Sequence, residues 1–149
     1  MILCSETEMK VLGARLIKAC HSGGIITLNG ELGSGKTTIV RGALEACGIT
    51  SGVRSPTYTL IESYELKGLS VAHFDLYRLS DAEELEYLGF RDYLNEQTLC
   101  LIEWPQRAEE LLQSAGLQLS LAYHEGCRRV QARASNSWGE QLMQAAKLR

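Results

Sequence analysis

Eight residues constrain this chain more than all the others. Gly30-Glu31-Leu32-Gly33-Ser34-Gly35-Lys36-Thr37 fits the pattern G-x-x-x-x-G-K-[ST]. The glycines permit positive φ and close backbone approach, so successive N–H groups can converge on a β-phosphate. A helix starting at this point adds its unpaired N–H groups and partial positive charge. Lys36 supplies a mobile charge for the β- and γ-phosphates, Thr37 a hydroxyl for Mg²⁺, and Thr38 a donor toward the α-phosphate. The alternative is a glycine-rich turn matching by accident, which average composition allows in roughly half a percent of chains this long. The flanks decide between the two. Ile25-Ile26-Thr27-Leu28 is a short apolar run suited to a buried strand, and a helical pattern runs from Lys36 to a stop at Gly48. Strand, loop and helix are the setting that a phosphate cradle needs, so Gly33, Ser34, Gly35, Lys36, Thr37 and Thr38 are read as nucleotide-binding.

The rest of the chain supplies the elements around this unit. Ser5-Glu6-Thr7-Glu8 predicts a capping box, with Met9, Leu12, Leu16 and Ile17 on one face of the helix it opens. Thr57 to Leu66 and Leu69 to Phe74 flank Lys67-Gly68 and predict a β-hairpin, which a purely parallel sheet would not contain. Ser80-Asp81-Ala82-Glu83 predicts a second capping box, whose helix carries Leu85 and Leu88 and stops at Gly89. Thr98-Leu99-Cys100-Leu101-Ile102 reads as a second buried central strand. Pro105 ends it, and a helix is predicted to follow through Leu111-Leu112. Leu117 to Tyr123 and Arg129 to Ala134 alternate as the arms of another hairpin, and Ser137-Trp138-Gly139-Glu140 caps a last helix. No repeat, linker or low-complexity stretch divides the 149 residues. The expectation is one P-loop NTPase domain over residues 1–149, α/β in class, with helices flanking a mixed central β-sheet that includes an antiparallel hairpin.

Composition narrows the partners. A net charge of −3 argues against a freestanding nucleic-acid binder, which needs clustered Lys and Arg. No apolar run approaches the roughly 20 residues that span a bilayer, and the first residues lack a signal-peptide layout. The five cysteines, Cys4, Cys20, Cys47, Cys100 and Cys127, are odd in number, scattered, and contain no CxxC. They predict neither a disulfide framework nor a structural zinc site. Cys20, Cys47 and Cys100 lie in apolar-periodic stretches and are expected to fill core, in a reducing, cytoplasmic compartment.

A P-loop needs an acid near Mg²⁺, at the end of a neighbouring strand. Asp75 follows Val71-Ala72-His73-Phe74, and Glu103 follows Leu99-Cys100-Leu101-Ile102. Either carboxylate suits Mg²⁺, directly or through water; the plainer alternative is a solvated strand end. Lys36, Asp75 and Glu103 are therefore the catalytic candidates. Trp104 is a candidate nucleotide or partner contact, or a cover for the core. His73 is read as a packed or hydrogen-bonded histidine rather than a catalyst.

Four segments in order resemble one family. They are Gly30 to Thr38, Ser55-Pro56-Thr57-Tyr58-Thr59-Leu60, His73-Phe74-Asp75-Leu76-Tyr77-Arg78, and Ile102-Glu103-Trp104-Pro105. Together they resemble the TsaE (formerly YjeE) family, the ATPase of bacterial tRNA threonylcarbamoyladenosine synthesis, from about Ser5 to Tyr123. The resemblance implies an ATP/ADP- and Mg²⁺-binding protein that works on a TsaB–TsaD heterodimer and meets tRNA only through that complex, away from membranes. It implies that Thr37 and Glu103 hold Mg²⁺, that Asp75 lies beside the γ-phosphate, and that Ser55, Thr57 and Thr59 belong to a switch-like loop. It also implies nucleotide contacts from Thr7 and from a late arginine, Arg128 or Arg129, of which Arg128 is chosen. Two other classes stay open. A small-molecule kinase would need an arginine-bearing lid, yet Asp81 to Glu96 is acidic and contains only Arg91. A nucleotide-dependent binding module without turnover fits the lack of any arginine finger placed by a motif, which also predicts slow hydrolysis by the chain alone.

Overall fold

A computed structural model describes residues 1–50 and 59–148. Within them the chain runs β1 (Ile2–Leu3), α1 (Glu6–Ala19), β2 (Gly24–Gly30), α2 (Lys36–Glu45), β3 (Ile61–Leu66), β4 (Leu69–Asp75), α3 (Ala82–Tyr87), β5 (Thr98–Glu103), β6 (Leu117–His124), β7 (Cys127–Ala134) and α4 (Ser137–Ala145). The strands form one sheet in the order β1-β7-β6-β2-β5-β4-β3. The four central strands β6, β2, β5 and β4 are parallel, whereas β3, β7 and β1 pair antiparallel at the edges. The mixed sheet, its two hairpins and the two buried central strands follow the sequence reading.

Alternation along the strands divides the core. Ile26, Leu28, Leu99, Leu101, Leu117 and Leu119 pack under α1, α2 and α4. Ile25, Ala72, Phe74, Cys100 and Ile102 face the other way, against Leu85 and Phe90. Among the described residues no helix is long and apolar enough to cross a membrane.

Helices α1 and α2 touch backbone to backbone because glycine stands at both crossing points. A Cβ on Gly13 would lie 1.9 Å from the Ile39 carbonyl oxygen, and one on Gly42 would lie 2.2 Å from that of Lys10. Gly42→Ala must therefore push the helices apart and disturb the base of the P-loop helix. We expect a loss of about 1–3 kcal/mol or more, the usual cost of overpacking, read as a lower midpoint in urea unfolding. An unchanged midpoint would refute the close approach.

Several local expectations are corrected. The cap of α3 is Asp81 rather than Ser80: its carboxylate accepts from the Glu84 N–H at 3.2 Å, while Glu84 accepts from the Ser80 N–H. The cap of α4 is Asn136, which accepts from the Gly139 N–H at 2.9 Å. In both cases adjacent residues can cap equally well, so sequence alone leaves the start uncertain by one. After Pro105 there is no α-helix but two 3₁₀ turns, Pro105–Arg107 and Glu109–Leu111. Ala108 between them has φ −146°, which breaks a continuous helical ladder. The strand expected from Thr57 is described from Ile61 onward; Leu60 before it is left-handed (φ 61°), which a strand residue cannot be.

The cysteines bring the largest correction, because Cys4 and Cys127 form a disulfide. The register pairs Leu3 with Arg128, so Cys4 and Cys127 are the next facing residues. That partnership spans 123 positions and depends on β1, which two residues do not announce in sequence. Cys20 and Cys100 are buried core fillers as expected, but Cys47 is exposed, beyond the last turn of α2.

Candidate active site

The parallel strands all end at one edge of the sheet, where open α/β sheets bind ligands. Strand β2 runs into the loop before Lys36, and the register sets Asp75 beside Glu103, and Glu103 beside Leu28. The loop lets go of the strand through Gly33 (φ 76°) and enters α2 through Gly35 (φ 104°), conformations that glycine adopts without a Cβ penalty. No side chain caps α2, so its first N–H groups remain for a ligand. A cleft of about 410 Å³ lies over this edge, lined among others by Lys36, Thr37, Thr38, Asp75, Glu103 and Trp104.

Lys36 is folded back into its own loop. Its ammonium donates to the carbonyls of Gly30 at 2.6 Å and Glu31 at 3.0 Å, and sits 4.3 Å from the centre of the Trp104 ring. Burial pushes its pKa below the ordinary lysine value, while Glu103 and Asp75 pull it back up. A phosphate arriving here would compete with the two carbonyls, the Ser34 hydroxyl at 3.5 Å and the aromatic face for this cation. Trp104 reaches that position from a left-handed backbone (φ 59°), an unfavourable state for so large a residue and one that tends to mark functional sites.

Glu103 is 2% exposed. Its Oε1 accepts from the Thr37 hydroxyl at 2.8 Å and meets His73 Nε2 at 2.9 Å. A carboxylate oxygen that accepts here makes Nε2 the donor of the contact, and the buried Nδ1 has no hydrogen-bond partner among the described residues. The donor set fits Mg²⁺. A hydroxyl and a carboxylate are hard oxygen ligands, and neighbouring ligands of an octahedral Mg²⁺ lie about 2.9 Å apart, close to the Thr37–Glu103 separation.

Asp75 accepts from the Tyr77 N–H at 3.1 Å, and the Tyr77 ring rests 4.9 Å from that of Trp104. On the other flank of the loop is a second cavity of about 240 Å³, which shares Gly33, Gly35 and Thr38 with the main cleft. Arg128 lines it, donates to the Gly33 carbonyl at 3.3 Å and stacks 4.2 Å from the Tyr123 ring. Arg129 turns away to His124 at 3.0 Å, so only Arg128 of the two reaches the loop. Thr7 is exposed on α1 and does not line this cavity; its neighbours Ser5, Glu6 and Met9 do. Ser55 and Thr57 lie outside the described residues. Thr59 donates to the Ile61 carbonyl at 3.1 Å and is not part of the cleft lining.

Sequence reasoning missed three features: the roof that Trp104 makes over Lys36, the His73–Glu103 contact, and the place of Arg78 in the cleft lining. The second was within reach. His73 and Asp75 are two apart on one strand and share a face, and the pairing of Asp75 with Glu103 brings His73 onto the diagonal.

Known proteins resemble the chain over most of its length. Residues 3–131 match the family model described as threonylcarbamoyl adenosine biosynthesis protein TsaE. The tRNA threonylcarbamoyladenosine biosynthesis protein TsaE of Haemophilus influenzae is 43% identical over 121 residues, 81% of this chain and 77% of the relative. The protein of that name from Bacillus subtilis is 40% identical over 112 residues, 75% of this chain and 70% of the relative. The crystal structure of Bacillus subtilis YdiB aligns with 99% of this chain and 92% of its own at a TM-score of 0.81 and 30% identity.

Proposed function

The chain belongs to the TsaE family, and from that premise we propose that it is a Mg²⁺-dependent ATPase, slow alone and quickened by a TsaB–TsaD heterodimer. Its role lies in threonylcarbamoyladenosine formation in tRNA, and its fold is the P-loop nucleotide-binding fold of the family. The observation that best supports the finer reading is the meeting of Thr37 with Glu103 beside the buried ammonium of Lys36.

In this reading residues 1–149 act as one cytoplasmic ATPase domain. The N–H groups of Gly33 to Thr38 hold the phosphates of ATP or ADP, and Lys36 leaves the carbonyls of Gly30 and Glu31 for the β- and γ-phosphates. Thr37 and Glu103 would hold Mg²⁺, which would supply positive charge beside the phosphates during transfer. Asp75 accepts a hydrogen bond from the attacking water, and Trp104 keeps bulk water off Lys36. Arg128 serves the nucleoside side, and Thr7, on α1 outside the lining of that cavity, would have to turn toward it. Ser55, Thr57 and Thr59 respond to the γ-phosphate and control docking on the heterodimer. Contact with tRNA runs through the partners, in keeping with the net charge of −3.

Phosphate release by the purified chain tests this, with Mg²⁺ or with a chelator, and with or without the heterodimer. Slow turnover, lost to the chelator and raised severalfold by the partners, is the expected result. Fast turnover that ignores the partners would favour an independent ATPase or a kinase.

A further inference from the structure

The disulfide between Cys4 and Cys127 stands against the nucleotide loop. Both cysteines line the smaller cavity with Gly33, Gly35, Thr38 and Arg128. Thr38 and the two glycines also line the main cleft. A phosphate chain laid from Lys36 and Thr37 toward Thr38 therefore leads out into the smaller cavity, which places the nucleoside there if the ATP-site reading holds.

Each end of the disulfide is joined to the loop by its next residues. Arg128 follows Cys127 and donates to the Gly33 carbonyl. Ser5 follows Cys4 and caps α1, and Met9 of that helix lies so close to Gly35 that a Cβ there would be 2.3 Å from its methyl carbon. β1 is two residues long and pairs with β7 at the edge of the sheet, where Met1 and Val130 also exchange two hydrogen bonds at 2.9 Å. Cys4 is exposed, within reach of soluble thiols.

We propose that Cys4 and Cys127 form a reversible thiol–disulfide pair that sets the nucleotide affinity of the site, binding tightly when oxidised and weakly when reduced. The chemistry is exchange with a low-molecular-weight disulfide such as oxidised glutathione. One cysteine thiolate attacks it, forming a mixed disulfide and releasing one glutathione thiolate. The second cysteine then displaces the other glutathione, so two protein thiols and one small disulfide become one protein disulfide and two small thiols. Excess reduced glutathione reverses each step. In thiol-buffered compartments a disulfide of this kind is a sensor rather than a permanent brace. The remaining cysteines do not compete: burial pushes the Cys20 thiol up to about 11 and the Cys100 thiol up to about 12, and Cys47 lies elsewhere on the surface.

The test equilibrates the full chain in oxidising and reducing glutathione buffers. Free thiols are then alkylated, the Cys4–Cys127 peptide is measured by mass spectrometry, and a fluorescent ADP analogue is titrated into each state. The linked peptide should appear and disappear with the buffer. The oxidised form should bind about tenfold more tightly, the equivalent of fixing roughly one residue of backbone. Cys47→Ser should keep that difference, whereas Cys4→Ser and Cys127→Ser should bind weakly in both buffers. The comparison within the unaltered chain stands even if a variant folds poorly. Absence of the linked peptide in oxidising buffer overturns the proposal. So does equal affinity in the two states, or a full response from Cys127→Ser. Failure to bind nucleotide in either state overturns the ATP-site reading, and this proposal with it.

Discussion

Lys36→Ala will give a folded protein whose ATP turnover is lower by at least about 10²–10³-fold, the scale set by removing one preorganised donor from a developing charge. Among the described residues Arg78 is the other cation lining the cleft, and a planar guanidinium does not reproduce a compact ammonium held on the loop. Arg128 is engaged with Gly33 and Tyr123 on the other flank of the loop, and Arg107 lies over Tyr77. Folding does not depend on the lysine. Burial lowers its pKa below the unfolded value, so the folded state holds this cation at a cost. That cost is present at pH values below the folded pKa and is relieved as pH rises through it. At neutral pH alanine removes the cost, and Gly30 and Glu31, whose carbonyls it frees, line a neighbouring surface cavity that water can fill. The melting temperature should therefore hold or rise while hydrolysis is lost. Near-normal phosphate release from a folded Lys36→Ala protein would remove Lys36 from the chemistry.

The features legible in the sequence are local ones. The run Ile25 to Leu28, the glycine-rich loop and the helix after it each announce themselves within ten residues. The same is true of Thr98 to Ile102 and of the hairpin turn at Lys67-Gly68. Hidden features depend on residues that meet only after the sheet has formed. Trp104 covers Lys36 because β5 lies beside β2 and the chain turns left-handed directly after Glu103. Cys4 meets Cys127 because a two-residue strand pairs at the sheet edge. No periodicity can be detected in two residues, and an odd cysteine count pointed the other way. Helix starts were blurred for a different reason: Ser80 with Asp81, and Asn136 with Ser137, offer two competent caps side by side.

Glu103→Gln should separate the charge of Glu103 from its shape. The glutamine carbonyl can still accept from the Thr37 hydroxyl and from His73 Nε2, so the hydrogen bonds at 2.8 Å and 2.9 Å survive and the strand end stays in place. Only the negative charge next to the proposed Mg²⁺ position is lost. Changes to residues that merely orient a metal ligand cost about 10–100-fold in affinity or activity, and loss of the ligand's charge should cost more than that. Both the Mg²⁺ concentration for half-maximal turnover and the turnover at saturation should suffer, while nucleotide binding in a chelator should change little. His73→Ala should move the same Mg²⁺ curve by the smaller amount, because it frees the carboxylate without removing it. His73→Gln, whose amide can donate in place of Nε2, should recover part of the loss. A packing role alone would leave the Mg²⁺ dependence of both His73 variants where it was. If Glu103→Gln keeps its Mg²⁺ dependence and its ATPase activity, Glu103 is a strand-end carboxylate and the metal must be held through Asp75.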